Sequence, residues 1–549
     1  MSRESRALAA GFGVLCLCVF ALLGRNLDEP GLYYDEVIQA TPASEFLREG
    51  GEPLRMPGAR NTWLFGGWFP LMTQPYMGAL KSQLLIPTFA AFGATRETLR
   101  LAALAWSCVG LGLVMLWARR LFGLRVALLA GAFLAFDPSF LFVSRHDWGS
   151  VALALVLRGG GLYLATTGWA RASLVRLAAG GLLLGLGIYN KIDFAPFVAG
   201  AGLALLLVAP RSFWHELRAQ PARALAAAGG FAAGAAPMLV TLTGVWAAAQ
   251  AMLRSQEVRA SDLAEKLHTW LSMLDGSHFH RLMLAGGSFE RLSEVEGAVA
   301  GPFLVILVPS AVWLAVRLWR DARRGAFDRA QAFVLVAMLF TALGLLATPR
   351  AARIHHTMNV YPFPQLVVAI AATRLWGARD RAAWARRLLV GACVAALLAG
   401  SLRVDLRTLE TIHESGGRGR WSNALERFAG ELPDDASVVS LDWGFHAPLR
   451  FTRPELQLEE PVWRMQRARG PGPGVTLLGG PQHVYLVQEP GYQVFDIGDA
   501  LLEAVRRLPM GAATVREHAD RNGESAFRSI HFARPHQLIY RGSFEVKLR

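Results

Sequence analysis

Apolar runs close to the ~20 residues that a helix needs to cross a bilayer recur along the first ~400 positions of this chain, and then stop. They fall at 7–24, 98–118, 125–143, 149–167, 173–189, 193–209, 224–243, 301–317, 331–348, 360–376 and 387–402. Beyond residue 403 the pattern becomes one of short alternating segments. Residues 421–431 and 497–508 read as helices, 437–441 and 483–488 as strands, and 537–548 as a strand or hairpin. Gly470-Pro471-Gly472-Pro473-Gly474 reads as a turn. The pattern predicts a polytopic α-helical membrane protein with about eleven transmembrane helices over residues 1–402. A C-terminal soluble α/β domain is expected over residues 403–549.

Composition supports this reading. Of 549 residues, 53% are hydrophobic and only 18% charged, too apolar for a soluble protein of this length. The net charge of +14 comes mostly from arginine. Those arginines sit in turns between apolar runs: Arg119, Arg120 and Arg125; Arg171 and Arg176; Arg211, Arg218 and Arg223; Arg317 to Arg329; Arg374 to Arg387. The positive-inside rule explains them and removes the case for nucleic-acid binding. It also sets an expected orientation, with a cytoplasmic N-terminus and an extracytoplasmic C-terminal domain, as in a multi-pass protein of a bacterial plasma (inner) membrane. Arg3 and Arg6 precede the first run, which reads as an uncleaved first helix. All four cysteines lie in apolar runs, so neither a disulfide framework nor a zinc site is expected.

Two long outer loops follow from that orientation, at 25–97 and 244–300. Within the first, residues 71–92 are apolar but hold Pro75, Lys81 and Pro87, and read as a helix lying at the interface. Trp63, Phe65, Trp68 and Phe69 suit the headgroup zone. In the second, Leu263, Leu267, Trp270, Leu271 and Leu274 recur at helical spacing.

The polar residues at the outer ends of the runs carry the candidate chemistry. Asp35 and Glu36 follow Tyr33 and Tyr34 just past the first run. Asp147 lies in the turn Ser144-Arg145-His146-Asp147-Trp148-Gly149. Lys191 lies in Asn190-Lys191-Ile192-Asp193, and Arg350, Arg353, His355 and His356 gather before Asn359. Each has a plain structural reading: Asp35 and Asp147 as helix caps, Lys191 as a snorkelling side chain with Asp193 as its local partner, the basic cluster against lipid headgroups. Their convergence on one side favours a second reading, an enzyme acting on an anionic substrate at the membrane surface. A carboxylate partly desolvated there can act as a base, and an outer cationic cluster can hold a phosphate. The adjacent histidines lack the spacing of a helical metal site, so no cofactor is expected. A divalent metal held by Asp35 and Asp147 is the less favoured alternative.

The order of these pieces resembles the GT-C glycosyltransferases, in the polyprenyl-phosphate-sugar-dependent group that includes protein O-mannosyltransferases and lipid A aminoarabinose transferases. It rests on Asp35-Glu36, on Arg100-Leu101 leading to Arg119-Arg120-Leu121-Phe122-Gly123, and on Asp137-Pro138 leading to Asp147. Gly185-Leu186-Gly187 before Asn190-Lys191, and His355-His356 before Tyr361-Pro362, complete it. It covers residues 1–400. Two places depart from the family's pattern: Met72-Thr73-Gln74-Pro75 stands where members often show a His-Pro-Pro run, and His146-Asp147-Trp148-Gly149 is unusual for the second turn.

The resemblance implies an inverting transfer of a sugar from a polyprenyl-phosphate-linked donor to a hydroxyl of a protein, lipid or glycan acceptor, outside the cytoplasm. It implies Asp35 as base, Glu36 as its companion and Asp147 as a second catalytic acidic residue. Tyr34, Arg145, His146, Lys191, Arg353, His355 and His356 become the expected substrate-binding residues. Two other classes stay open: a secondary transporter of a lipid-linked or small anionic substrate, and a non-catalytic assembly protein of the same fold.

Overall fold

The computed structural model describes residues 2–53, 58–241, 260–348, 353–377, 382–468 and 474–548. Arg350, Arg379, Arg381, residues 244–259 and residues 470–473, on which expectations fell, lie outside the described residues.

Each of the eleven apolar runs is mainly helical. Six helices are long and apolar enough to cross a membrane: Arg3–Leu23, Arg96–Phe122, Trp148–Ala170, Phe303–Arg323, Arg329–Ala347 and Ala383–Ser415. Counting two bent pairs as single spans gives up to eight among the described residues, short of the eleven expected. One bent pair, Leu124–Ala135 with Pro138–Arg145, turns by 59°. Pro138 has no N–H to continue the ladder. Asp137 before it is extended at φ −79°, ψ 112°, as residues preceding proline are. The Phe140 N–H, freed by the break, donates to the Asp137 carboxylate at 2.9 Å. The second pair, Ile192–Val208 with Pro210–Ala219, turns by 99°, again at a proline. The helix Ala383–Ser415 runs past residue 402 without a break.

Helices Leu174–Asn190 and Pro221–Val240 meet backbone to backbone. A Cβ on Gly181 or Gly185 would collide with the carbonyls of Ala227 and Phe231, and one on Gly230 with that of Ala178. Small residues permit this approach where lipid supplies no hydrophobic drive between helices. The contact fixes the helix that ends at Asn190, and so the position of Lys191.

The first loop is more structured than its sequence suggests. It holds the short helices Tyr34–Val37 and Thr41–Leu47, a sheet of β1 (Arg60–Leu64), β2 (Gly67–Gln74) and β3 (Met77–Gly78), and the helix Leu80–Phe92. Residues 71–92 are therefore not one interface helix. Trp63 pairs with Trp68 across the β1–β2 hairpin, their rings 5.2 Å apart, and Phe65 and Gly66 turn it with positive φ. Helix Leu80–Phe92 has 13 residues, roughly 20 Å, too short to span. In the second loop the spaced leucines fall on helix Ala260–Leu274.

The C-terminal region holds two sheets. The larger has the order β5 (Gln457–Glu459), β4 (Ser437–Ser440), β7 (His483–Gln488), β9 (Ser525–Phe532), β8 (Ala513–Ala519). β4 is parallel to β5 and β7, and the other pairs are antiparallel. The smaller sheet is antiparallel, with β10 (His536–Tyr540) between β6 (Val475–Gly479) and β11 (Phe544–Leu548). This region grips the first loop through two tryptophans. Trp421 stacks on Tyr33 at 4.2 Å and 4°, and Trp443 meets Tyr34 at 4.7 Å. Trp421 is fully buried and also meets the rings of His146, Trp148 and Phe279 edge-on.

Trp421→Ala should therefore destabilise the protein by about 3–5 kcal/mol, read as a lower thermal unfolding midpoint in detergent. An unchanged midpoint would show that the stack holds nothing together.

Candidate functional site

Three elements bring the site together: the first loop, the turn at 146–150, and the segment 191–194 with residues 353–359 beside it. The first loop is held from below. Arg100, on the first turns of helix Arg96–Phe122, pairs with both carboxylate oxygens of Glu36, at 2.7 and 2.9 Å. Its remaining N–H groups donate to the carbonyls of Leu27, Glu29 and Pro30 at 2.7–3.0 Å, and to Gly31 at 3.5 Å. Both side chains are completely buried. Glu36 is thus committed to a bidentate brace, and Asp35 beside it faces the other way.

Asp35 is half-buried and accepts a hydrogen bond from the Trp148 indole N–H at 3.0 Å. Among the described residues it enters no ion pair. Burial pushes its carboxyl above the ordinary range, and Trp148, Lys191, Arg353 and Lys81 oppose that shift. It is therefore a desolvated carboxylate held by a neutral donor, with cations near but not bonded.

The other carboxylates of the cluster are ion-paired. Lys81 reaches Asp147 at 2.7 Å, with both side chains buried, and also donates to the Glu36 carbonyl at 3.1 Å. Burial pushes Asp147 up to about 6, with Lys81 holding it back. Asp147 itself sits at φ 47°, a strained conformation for an aspartate that the turn imposes. Asp193 is shared: Lys191 approaches it at 3.2 Å and His356 Nδ1 at 2.6 Å. Burial and Lys191 lower the pKa of His356, against the pull of Asp193. Arg158, buried in the helix Val151–Ala170, donates to Asn359 at 2.6 Å, and Asn359 donates to the Asp193 carbonyl at 3.1 Å. Arg353 pairs with Glu265 at 2.9 Å and lies 3.5 Å over the Phe289 ring. His355 packs between Trp148 and His356, at 5.1 and 4.1 Å between rings, and a side chain on Gly149 would collide with it.

The structure thus gathers Asp35, Asp147, Lys191, Arg353, His355 and His356. It does not bring Tyr34, Arg145 or His146 to the same space. Tyr34 is buried against Trp443. Arg145 is buried and donates to the carbonyls of Arg25 and Asn26 at 3.1 and 2.7 Å. His146 is stacked on Phe279 at 5.1 Å and fully buried, which with Arg100 and Arg145 holds it neutral. These three support the loop from beneath. Lys81, Arg158 and Arg100 were the contributors missed, though a charged residue inside an apolar run is itself a functional signal. Among the described residues no group of three or more His, Cys, Asp and Glu is placed to hold a metal ion.

No family model and no curated protein matches this sequence. Solved structures do. ArnT from Cupriavidus metallidurans, solved bound to undecaprenyl phosphate, is similar over 96% of this chain and 98% of its own, at TM-score 0.54 and 13% identity. The chain has a GT-C fold. Archaeal oligosaccharyltransferase AglB from Archaeoglobus fulgidus, in complex with an inhibitory peptide and a dolichol-phosphate, is similar over 83% of this chain and 65% of its own, at TM-score 0.46 and 12% identity. In this GT-C fold the charged groups meet at one end of the helices, against the C-terminal region.

The two neighbouring carboxylates should separate in a stability measurement. Glu36→Gln leaves Arg100 buried without its counter-charge and should cost about 3–5 kcal/mol. Asp35→Asn removes a charge that burial disfavours and should leave the unfolding midpoint equal or higher. Equal losses in both variants would contradict the assignment of the brace to Glu36 alone.

Proposed function

We propose that the protein is an integral-membrane inverting glycosyltransferase. It moves a sugar from a polyprenyl-phosphate-linked donor to an acceptor hydroxyl of a protein, lipid or glycan on the extracytoplasmic face. The observation that carries this reading is Asp35: a desolvated carboxylate that enters no ion pair among the described residues, within the field of Lys81, Lys191 and Arg353. The undecaprenyl phosphate bound to ArnT, whose fold this chain shares along nearly its whole length, supports a polyprenyl phosphate as the donor's carrier.

The proposed chemistry uses these groups as follows. The acceptor hydroxyl attacks the anomeric carbon while Asp35 takes its proton. The bond from that carbon to the phosphate oxygen breaks, and the polyprenyl phosphate departs with the electron pair. Phosphate is a good leaving group, so no acid is needed. Lys191, Arg353 and His356 stabilise the charge that develops on it. In-line attack inverts the anomeric centre. Asp193 positions Lys191 and His356 by pairing with both. Asp147, through Lys81, positions the backbone of the Asp35–Glu36 turn. Glu36 acts through Arg100 as a positioning residue. No metal enters this scheme.

In the same reading all eleven helical runs cross the bilayer and the N-terminus is cytoplasmic. Residues 403–549 form an extracytoplasmic domain, and the setting is a bacterial plasma membrane. The C-terminal domain closes on the first loop through Trp421 and Trp443.

The test is transfer of labelled sugar from a polyprenyl-phosphate donor pool by membranes holding equal amounts of wild type and Asp35→Asn. Transfer should fall by about 10²–10⁴-fold in the variant. Equal transfer would remove Asp35 from the chemistry, and no transfer by either across a range of donors would remove the enzyme reading.

The pH profile gives an independent check. Asp35 serves as base only when ionised, and burial raises its pKa. The acid limb of kcat/KM should therefore lie above the ordinary carboxylate value of about 3.9, with activity lost as pH falls through it. A limb at or below that value would contradict a desolvated Asp35.

A further inference from the structure

About 30 Å along helix Arg96–Phe122 from Arg100, at the far end of the helix bundle, there is a cavity of about 690 Å³. It is bounded by Phe122, by Trp313 and Arg317 of helix Phe303–Arg323, by Thr373 and Arg374 of helix Phe363–Gly377, and by Arg386 of helix Ala383–Ser415, among others. Three arginines from three helices therefore line it, and no carboxylate is among the described lining residues. Arg317 pairs with Asp321 at 3.3 Å and Arg374 with Asp328 at 3.0 Å. Both bridges are partly solvated, hence weak and open to competition by a better anion. The Arg386 Nε–H donates to the Leu375 carbonyl at 3.2 Å. The Thr373 hydroxyl is buried at the cavity without a hydrogen-bond partner among the described residues, an unmet donor that calls for an acceptor.

The lining is amphipathic. Guanidinium forks match phosphate oxygens in pairs, while Phe122 and Trp313 supply an apolar wall that a free inorganic anion would leave in contact with water. The volume lies within the usual range of small-ligand pockets, about 300–1,000 Å³. The cavity also opens at the arginine-rich helix ends, which the positive-inside rule assigns to the anionic leaflet. We propose that this cavity binds the phosphate of an anionic phospholipid headgroup, at a site separate from the Asp35 cluster. Arg317 and Arg374 take the phosphate, Thr373 donates its hydroxyl to it, and Trp313 packs on the first carbons of the lipid.

The test uses the purified full-length protein in neutral detergent. Its thermal unfolding midpoint is titrated with phosphatidylglycerol, phosphatidylcholine and inorganic phosphate, for wild type, for Arg317→Gln/Arg374→Gln, and for Thr373→Val. Phosphatidylglycerol alone should raise the wild-type midpoint. The apparent affinity should weaken roughly fivefold per charge removed. Thr373→Val removes a hydroxyl with no hydrogen-bond partner among the described residues, so its lipid-free midpoint should be unchanged or higher and its affinity for the lipid lower. Equal stabilisation by phosphatidylcholine, or by inorganic phosphate, would overturn the assignment to an anionic lipid. Should the double variant fail to fold, an unchanged lipid affinity in Thr373→Val would overturn it alone.

Discussion

The Glu36–Arg100 brace is the contact on which the site depends. One guanidinium meets both oxygens of a carboxylate and the carbonyls of Leu27, Glu29, Pro30 and Gly31. That single side chain converts the stretch after the first helix from a tether into a fixed platform. A fully buried ion pair is weak evidence for stability in general, because desolvation offsets its attraction. Here every remaining donor of the guanidinium is satisfied, which is the condition under which a buried polar network specifies one arrangement. With Glu36 turned down into the brace, Asp35 is turned up toward Trp148, and the two adjacent acids take different roles.

The electrostatics of the cluster separate one carboxylate from the rest. Asp147 has Lys81, and Asp193 has Lys191 and His356. Asp35 has an indole N–H. Burial raises the carboxyl pKa of Asp147 as well as that of Asp35, so the difference lies in the partners. Asp147 is held by a cation, whereas Asp35 is held through one oxygen by a neutral donor and enters no ion pair among the described residues, which leaves it able to take a proton from a hydroxyl. The paired cations are not idle in this picture. An arriving phosphate competes with Asp193 and Glu265 for Lys191 and Arg353, so these carboxylates hold the cations in place as internal stand-ins for the anion.

Much of the helical architecture was legible in the sequence because runs of apolar residues state their own length. The bend at Asp137-Pro138 was less so: the run 125–143 reads as continuous although its proline breaks the ladder. The β1–β2–β3 sheet was missed because its aromatic residues also fit an interfacial segment, and only cross-strand pairing such as Trp63 with Trp68 distinguishes the two. In the C-terminal region β4 and β7 announced themselves by apolar runs, whereas β8, Ala513–Ala519, is largely exposed and carries little hydrophobic signal. Within the site, Asp35, Asp147, Lys191 and His356 were visible as charges at the ends of spans. Lys81 and Arg158 were not, because their partners lie 66 and 201 residues away, and a lone cation in an apolar run does not name its counter-charge. Arg145 and His146 were misplaced for the opposite reason. A polar turn between two helices reads as exposed, and only the packing of Phe279 and Trp421 over it reveals burial.

The most direct test is a structure of the protein with a polyprenyl-phosphonate sugar that cannot be cleaved. The account predicts a phosphonate oxygen within hydrogen-bond reach of Lys191 Nζ, and Asp35 on the face of the anomeric carbon opposite the phosphonate. A phosphonate seated away from Lys191, Arg353 and His356, or a sugar whose anomeric carbon is turned from Asp35, would contradict it.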